Sequence, residues 1–202
     1  MNTTDSTVAT QQEIIITGFG GQGIILAGRI IGMAASLGDN RESTLTQAYG
    51  PESRGGACNA QVIISDRPIH YPYVKTPHIL VAMSQAGYDK FTDLLTADAI
   101  LLTDQDLVPK TAAPCPHYAI SATRMAEGLG NKMMANIIMI GFFTAITGAV
   151  SKQAAQDMVL QSVPKGTEEK NTNAFNKGYD YGVSTLKGKE KRAAGKTGAI
   201  AS

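Results

Sequence analysis

Short β-branched runs alternate along the chain with longer segments of helical composition. Glu13-Ile14-Ile15-Ile16-Thr17 ends in glycines and residues 22–37 are helical by composition, so the chain opens as strand, tight turn, helix. Further strands are expected at 43–47, 58–65, 79–83, 99–103 and 118–121, with helices near 86–95 and 123–129. After Asn131 the pattern is helical to the end, with breaks at Ser151 and Pro164. Such alternation predicts an α/β fold with an open, mostly parallel sheet flanked by helices and a helical C-terminal part. No internal repeat is visible, and no linker within 13–186 is long enough to divide it, so a single domain is expected there. Residues 1–12 are expected to be disordered and 187–202 to form a flexible tail.

Several of these helices demand cover. The first, at 24–37, carries one charge, Arg29, and is small and apolar nearly all round. In the last, Phe175, Tyr179, Val183 and Leu186 make an apolar stripe, and Gly178 and Gly182 lie one turn apart, which lets another backbone approach closely. The chain looks too small to bury all of this, so a partner subunit is expected to supply part of the cover. The apolar stretch 135–150 is broken by Asn136, Gly141, Thr144, Thr147 and Gly148 and falls short of a membrane span, so it reads as a buried core helix.

Composition narrows the class. The 202 residues are 43% hydrophobic and 17% charged with 21 glycines, the profile of a glycine-rich α/β protein and too sparsely charged for a free-standing monomer. A formal net charge of +1 gives no footprint for nucleic acid or a membrane surface. Lys187, Lys189, Lys191, Arg192 and Lys196 against Glu190 make the tail basic and leave the body mildly acidic. Cys58 and Cys115 stand far apart without Cys-x-x-Cys or flanking histidines, so they build no iron–sulfur or zinc site by themselves. The Thr- and Gln-rich start is unlike a signal peptide, which makes a cytoplasmic location the expectation.

The first candidate for chemistry is Gly18-Phe19-Gly20-Gly21-Gln22-Gly23, a G-x-G-x-x-G pattern placed after a strand and at the opening of a helix. Its backbone N–H groups and the helix N-terminus suit an anion such as a pyrophosphate. Dinucleotide binding also requires an acidic residue ending the second strand, and Ser43-Thr44-Leu45-Thr46-Gln47 has none. Glycines serving only a tight turn and close helix packing are the alternative.

A second loop, Gln47-Ala48-Tyr49-Gly50-Pro51-Glu52-Ser53-Arg54-Gly55-Gly56-Ala57, sets a fixed positive charge beside backbone that can fold into an anion-binding nest. A parallel sheet would place it near the first loop; a solvated turn with an ordinary surface arginine is the alternative. Ser84 and Gln85 follow the apolar strand at 79–83, where ligand-facing residues of α/β sheets often lie, but no Ser/His/Asp order supports a nucleophile. His70, His78 and His117 have no metal-ligand spacing and read as structural or exposed.

These loops carry a family resemblance. Gly20-Gly21-Gln22-Gly23, then Thr44-x-Thr46-Gln47-x-Tyr49-Gly50-Pro51-Glu52-x-Arg54-Gly55-Gly56, then Val62-Ile63-Ile64-Ser65-Asp66 and Val81-Ala82-Met83-Ser84-Gln85 resemble the gamma subunit of 2-oxoacid:ferredoxin oxidoreductases. Asn136 and Asn173-x-Phe175-x-x-Gly178 extend the match to roughly 13–182, and the Tyr-Gly-Pro-Glu-x-Arg-Gly-Gly form looks most like the 2-oxoglutarate type. The resemblance implies a Rossmann-like chain, inactive alone, in a multi-subunit enzyme that converts 2-oxoglutarate, coenzyme A and oxidised ferredoxin into succinyl-CoA, carbon dioxide and reduced ferredoxin. Thiamine diphosphate, magnesium and iron–sulfur clusters are then expected in partner subunits, and ferredoxin is met through the complex. The implied role here is assembly and part of the coenzyme A site. Its candidate contacts are Gly20, Gly21, Gln22, Gly23, Thr46, Arg54, Gly55, Gly56, Ser84 and Gln85, with no catalytic or metal-binding residue. A free-standing NAD-dependent dehydrogenase and a purely structural partner domain are the competing readings.

Overall fold

A computed structural model describes residues 11–49 and 57–198. Six strands form one sheet: β1 (Gln11–Phe19), β2 (Glu42–Tyr49), β3 (Ala57–Ser65), β4 (Ile79–Ala82), β5 (Ile100–Asp104) and β6 (His117–Ile120), in the order β2-β3-β1-β4-β5-β6. β1, β4, β5 and β6 are mutually parallel. β3 runs antiparallel to both β1 and β2, so the expected mostly parallel sheet carries an antiparallel edge. β1 and β3 pair along their full lengths, from Gln11 opposite Ser65 to Phe19 opposite Ala57. The first strand thus begins slightly before residue 13, the expected start.

Alternation along the strands splits the core into two layers. Ile14 and Ile16 of β1 face α1 (Ile24–Met33), α3 (Ala122–Gly128), α4 (Ala135–Thr147), α5 (Lys152–Ser162) and α6 (Glu168–Gly198), whereas Ile15 faces α2 (Gln85–Phe91). α1 lies close on the sheet because Gly28 carries no side chain: a Cβ there would stand 2.6 Å from that of Ala60 and 3.2 Å from Leu45 Cδ1. The helix expected to reach residue 37 instead ends at Met33 and continues as one wider π turn, Ala34–Gly38. Ser151 starts α5 by accepting a hydrogen bond from the Ala154 N–H at 3.2 Å.

α4 is buried on nearly every side, from Ala135 through Thr144. Thr144 and Thr147 are tolerated there because their hydroxyls donate to the carbonyls of Ile140 and Phe143, each at 2.8 Å. Its cover corrects the expectation that a partner meets the glycine face of the last helix, since α6 of the same chain packs on α4. A Cβ on Gly141 would run into the Phe175 carbonyl, and one on Gly178 into the Ile138 carbonyl. Two backbones meet here with nothing between them.

α6 also continues past Leu186 to Gly198 where a flexible tail was expected. Lys189 holds this extension to the sheet edge, its Nζ donating to the His117 carbonyl at 3.1 Å and lying 3.5 Å from the Tyr118 ring centre. Among the described residues no helix is long and apolar enough to cross a membrane.

The two kinds of glycine in α6 should respond oppositely to a methyl group. Gly178→Ala forces the α4–α6 backbones apart and should cost about 1–3 kcal/mol. Gly188 has open space around it, so Gly188→Ala should add about 0.5–1 kcal/mol through helix propensity. Thermal melts of the two variants should shift in opposite directions; equal shifts would show that α6 does not pack on α4 in this way.

Candidate functional site

The chain leaves β1 through α1 on one face of the sheet, while β4 leads into α2 on the other. The carboxyl ends of β1 and β4 therefore flank a topological switch point, where open α/β sheets bind ligands. The turn Gly18–Gly23 sits there. Gly21 has φ 93° and Gly23 φ 72°, and Gly23 opens α1 without any side-chain cap. The first N–H groups of α1 lack helical partners and no acidic residue occupies its first turn, so this end of the helix suits an anion. Gly20 and Gly21 are exposed beside it.

Gln22 closes the switch point from within. Its Oε1 accepts from the Phe19 N–H at 2.6 Å and its Nε2 donates to the Met83 carbonyl at 2.9 Å, so one amide ties the β1 turn to the end of β4. Both ends of the side chain are engaged, which makes Gln22 a brace of the turn. Ser84 is fully buried and accepts from the Gly87 N–H at 3.1 Å as the cap of α2. Gln85 turns away from the glycine turn, donating to the Lys110 carbonyl at 3.0 Å and Asp89 at 2.8 Å and accepting from the Lys110 N–H at 3.1 Å. Its amide is likewise used internally.

Thr46 does not join the turn. It pairs with Gln61, level with Ile15 and two strands from β1, and faces away from α1 because its neighbour Leu45 points toward Gly28. Arg54, Gly55 and Gly56 lie outside the described residues. The ends of their segment are fixed, however: Tyr49 pairs with Cys58, and Ala57 with Phe19. Both ends therefore stand at the glycine-turn end of the sheet, brought there by an antiparallel hairpin connection instead of the parallel arrangement expected.

Asn136, quoted in the family pattern but not counted among the site residues, belongs here. It is 3% exposed at the start of α4 and donates from Nδ2 to the Gly23 carbonyl at 3.3 Å. A side chain at position 23 would collide with it. The available signal was a lone amide opening an otherwise apolar helix.

The remaining titratable groups serve structure. Burial raises the Cys58 thiol, and burial, partly offset by backbone hydrogen bonds, raises Cys115, so neither is primed as a nucleophile. His78 Nδ1 accepts from the Glu13 N–H at 3.0 Å. His117 Nε2 lies 2.7 Å from Thr103 Oγ1, and burial first, then the Lys189 charge, lowers its pKa. Among the described residues no group of three or more His, Cys, Asp or Glu side chains is placed to hold a metal ion.

Against known proteins, the pyruvate ferredoxin/flavodoxin oxidoreductase family matches residues 13–181. The 2-oxoglutarate synthase subunit KorC of Methanocaldococcus jannaschii is 50% identical over 177 residues, covering 86% of this chain and 95% of that one. The solved gamma subunit of a keto/oxoacid ferredoxin oxidoreductase from Geobacter sulfurreducens PCA superposes with a TM-score of 0.77 at 38% identity, covering 86% of this chain and 99% of that one. The 2-oxoglutarate:ferredoxin oxidoreductase from Magnetococcus marinus, solved with 2-oxoglutarate, coenzyme A and succinyl-CoA bound, shares the fold, with a TM-score of 0.79 at 19% identity over 86% of this chain and 31% of that one.

The His117 environment gives a signed pH dependence. Its folded pKa is lowered, so the unfolded chain binds the proton more readily; stability is full above the unfolded value of about 6.5 and falls as pH drops below it toward the folded value. Denaturant midpoints between pH 8 and pH 5 should show this loss, and His117→Gln should flatten that portion. Parallel profiles for the two proteins would show that His117 is not responsible.

Proposed function

The chain belongs to the pyruvate ferredoxin/flavodoxin oxidoreductase family, and from that premise we propose that it is the gamma-type subunit of a multi-subunit 2-oxoglutarate:ferredoxin oxidoreductase. The observation that carries this reading is the 50% identity to a 2-oxoglutarate synthase subunit along nearly the whole of that subunit. Within the complex, the chain serves assembly and supplies part of the coenzyme A site. Thiamine diphosphate, magnesium and iron–sulfur clusters reside on companion subunits, and electrons reach ferredoxin through the complex.

The geometry supports a phosphate-bearing ligand over a redox dinucleotide. β3, antiparallel, lies beside β1 where a dinucleotide fold has its second parallel strand, so among the described residues no strand end presents a ribose-binding carboxylate next to the turn. What remains is the exposed turn at Gly20 and Gly21, the uncapped α1 terminus and, from sequence, the Arg54-Gly55-Gly56 segment whose ends meet it. The phosphates of coenzyme A match that donor set.

The test uses the chain assembled with its companion subunits. Coenzyme A-dependent reduction of ferredoxin should be faster with 2-oxoglutarate than with pyruvate by at least about tenfold in kcat/KM, ~1.4 kcal/mol. Arg54→Ala should raise the KM for coenzyme A about 10- to 150-fold, the loss of a charge-assisted contact worth roughly 1.5–3 kcal/mol. Single-turnover carbon dioxide release without coenzyme A should stay unchanged. A KM within about twofold of the parent would remove Arg54 from the site, and micromolar binding of NAD by the purified chain would reinstate the dehydrogenase reading.

A further inference from the structure

The two edges of the sheet are protected to different degrees. At one end β6 is four residues long, α6 packs beside it, and the Lys189 ammonium sits on its His117 carbonyl. Short length, a lysine and a covering helix are the devices that keep an edge strand from pairing with another chain. At the other end β2 runs for eight residues with neither lysine nor proline, and its one charge is Glu42 at the start. Among the described residues no strand pairs with its outer side. Its outward N–H and C=O groups are a template for another strand.

Apolar surface borders this edge. Leu45 is 38% exposed and points to the α1 side of the sheet, and Leu37, on the π turn that packs against β2, is 69% exposed. On α1, Ile25, Arg29 and Met33 recur every fourth residue; Arg29 is exposed and the other two are half-buried. Apolar side chains with a methionine and an arginine among them are the composition of an interface. This row is also the part of the first helix that the chain itself leaves uncovered.

The order of residues in β2 identifies the occupant. Two copies related by a two-fold axis through the sheet pair antiparallel, and opposed side chains lie on the same face. Centred on Leu45, such a pairing sets Leu45 against Leu45, Thr44 against Thr46, Ser43 against Gln47 and Glu42 against Ala48 of the second copy. The exposed leucines then cover each other and threonines pair across the strands. The two Glu42 carboxylates stand at opposite ends, so no like charges face. Centring on Thr46 would instead oppose Leu45 to Gln47. We infer that β2 is a homotypic docking edge, through which two copies of this chain pair antiparallel about Leu45 and join their six-stranded sheets into one. The inference uses no residue of the glycine turn and is independent of the coenzyme A reading.

The test is disulfide trapping in the full chain and in the complex assembled with companion subunits. Opposed residues of an antiparallel pair have Cα atoms about 4.5–5.5 Å apart, within disulfide reach. Leu45→Cys should therefore cross-link copy to copy under mild oxidation, read on a non-reducing gel and by mass spectrometry of the joined peptide. Gln47→Cys, on the same face but opposed to Ser43, should not; the parent, with free Cys58 and Cys115, sets the background. Leu45→Lys and Leu45→Glu should each weaken dimerisation about tenfold or more in sedimentation by facing like charges, and mixing the two variants should restore it. If a charged variant fails to fold, the trapping still decides. Absence of a Leu45→Cys cross-link overturns the inference, as does equal cross-linking by Gln47→Cys. A cross-link formed by the isolated chain but lost on assembly overturns it too, because a companion subunit then holds the edge.

Discussion

The helical half of this protein depends on one backbone-to-backbone contact, between α4 at Gly141 and α6 at Gly178. α4 has no face it can leave to water: Ile138, Ile140, Phe142 and Phe143 are each at most 1% exposed. Burying such side chains is worth roughly 1.5–3 kcal/mol apiece, so whatever covers α4 governs the stability of the layer. Only helices without Cβ atoms at the crossing can approach this closely. Gly141 and Gly178 create the gap, and Phe175, itself fully buried, fills the core beside it.

That packing reaches the candidate site through the N-terminus of α4. With the helix held on its flanks, Asn136 is delivered to the Gly23 carbonyl and stabilises a left-handed turn in which a side chain would be strained and would crowd the Asn136 amide. On the other side of the turn, the Gln22 amide fastens it to the end of β4. The glycine turn is therefore fixed from two directions by neutral hydrogen bonds, leaving its exposed N–H groups free of internal charge. A rigid, uncapped and uncharged turn is preorganised for an anion, because nothing must be displaced or reoriented when one arrives.

Much of the fold was legible because the strands are short β-branched runs set between helical segments, and every expected strand is found within a residue or two of its place. The direction of β3 was not legible. An apolar, β-branched strand reads the same whether its neighbours are parallel or antiparallel, and only the length of the 50–56 connection hinted at a hairpin. The destination of Gly178 and Gly182 was similarly hidden, since a small-residue face announces close approach without naming the helix that approaches. At the site, the glycine turn was readable from spacing alone, but the roles of Gln22, Ser84 and Gln85 depend on which backbone groups stand within 3 Å of their side chains. Sequence supplies the polar residue, and tertiary structure decides whether it faces a ligand or a carbonyl.

The antiparallel β2–β3 pair explains how the two glycine-rich segments come together without the usual second parallel strand. In a parallel arrangement, the loop following the second strand would reach the switch point from a strand adjacent to β1. Here β2 is the outer edge strand, yet it runs in the same direction as β1 because two antiparallel pairings intervene. The 50–56 connection consequently begins and ends at the carboxyl end of β1, and β3 returns directly beside the glycine turn at Phe19. Where a dinucleotide fold has its second parallel strand beside β1, this fold has the antiparallel strand β3. Among the described residues, no parallel strand adjoins β1 on this side to end beside the turn, the position from which a carboxylate selects a nicotinamide cofactor in a dinucleotide fold.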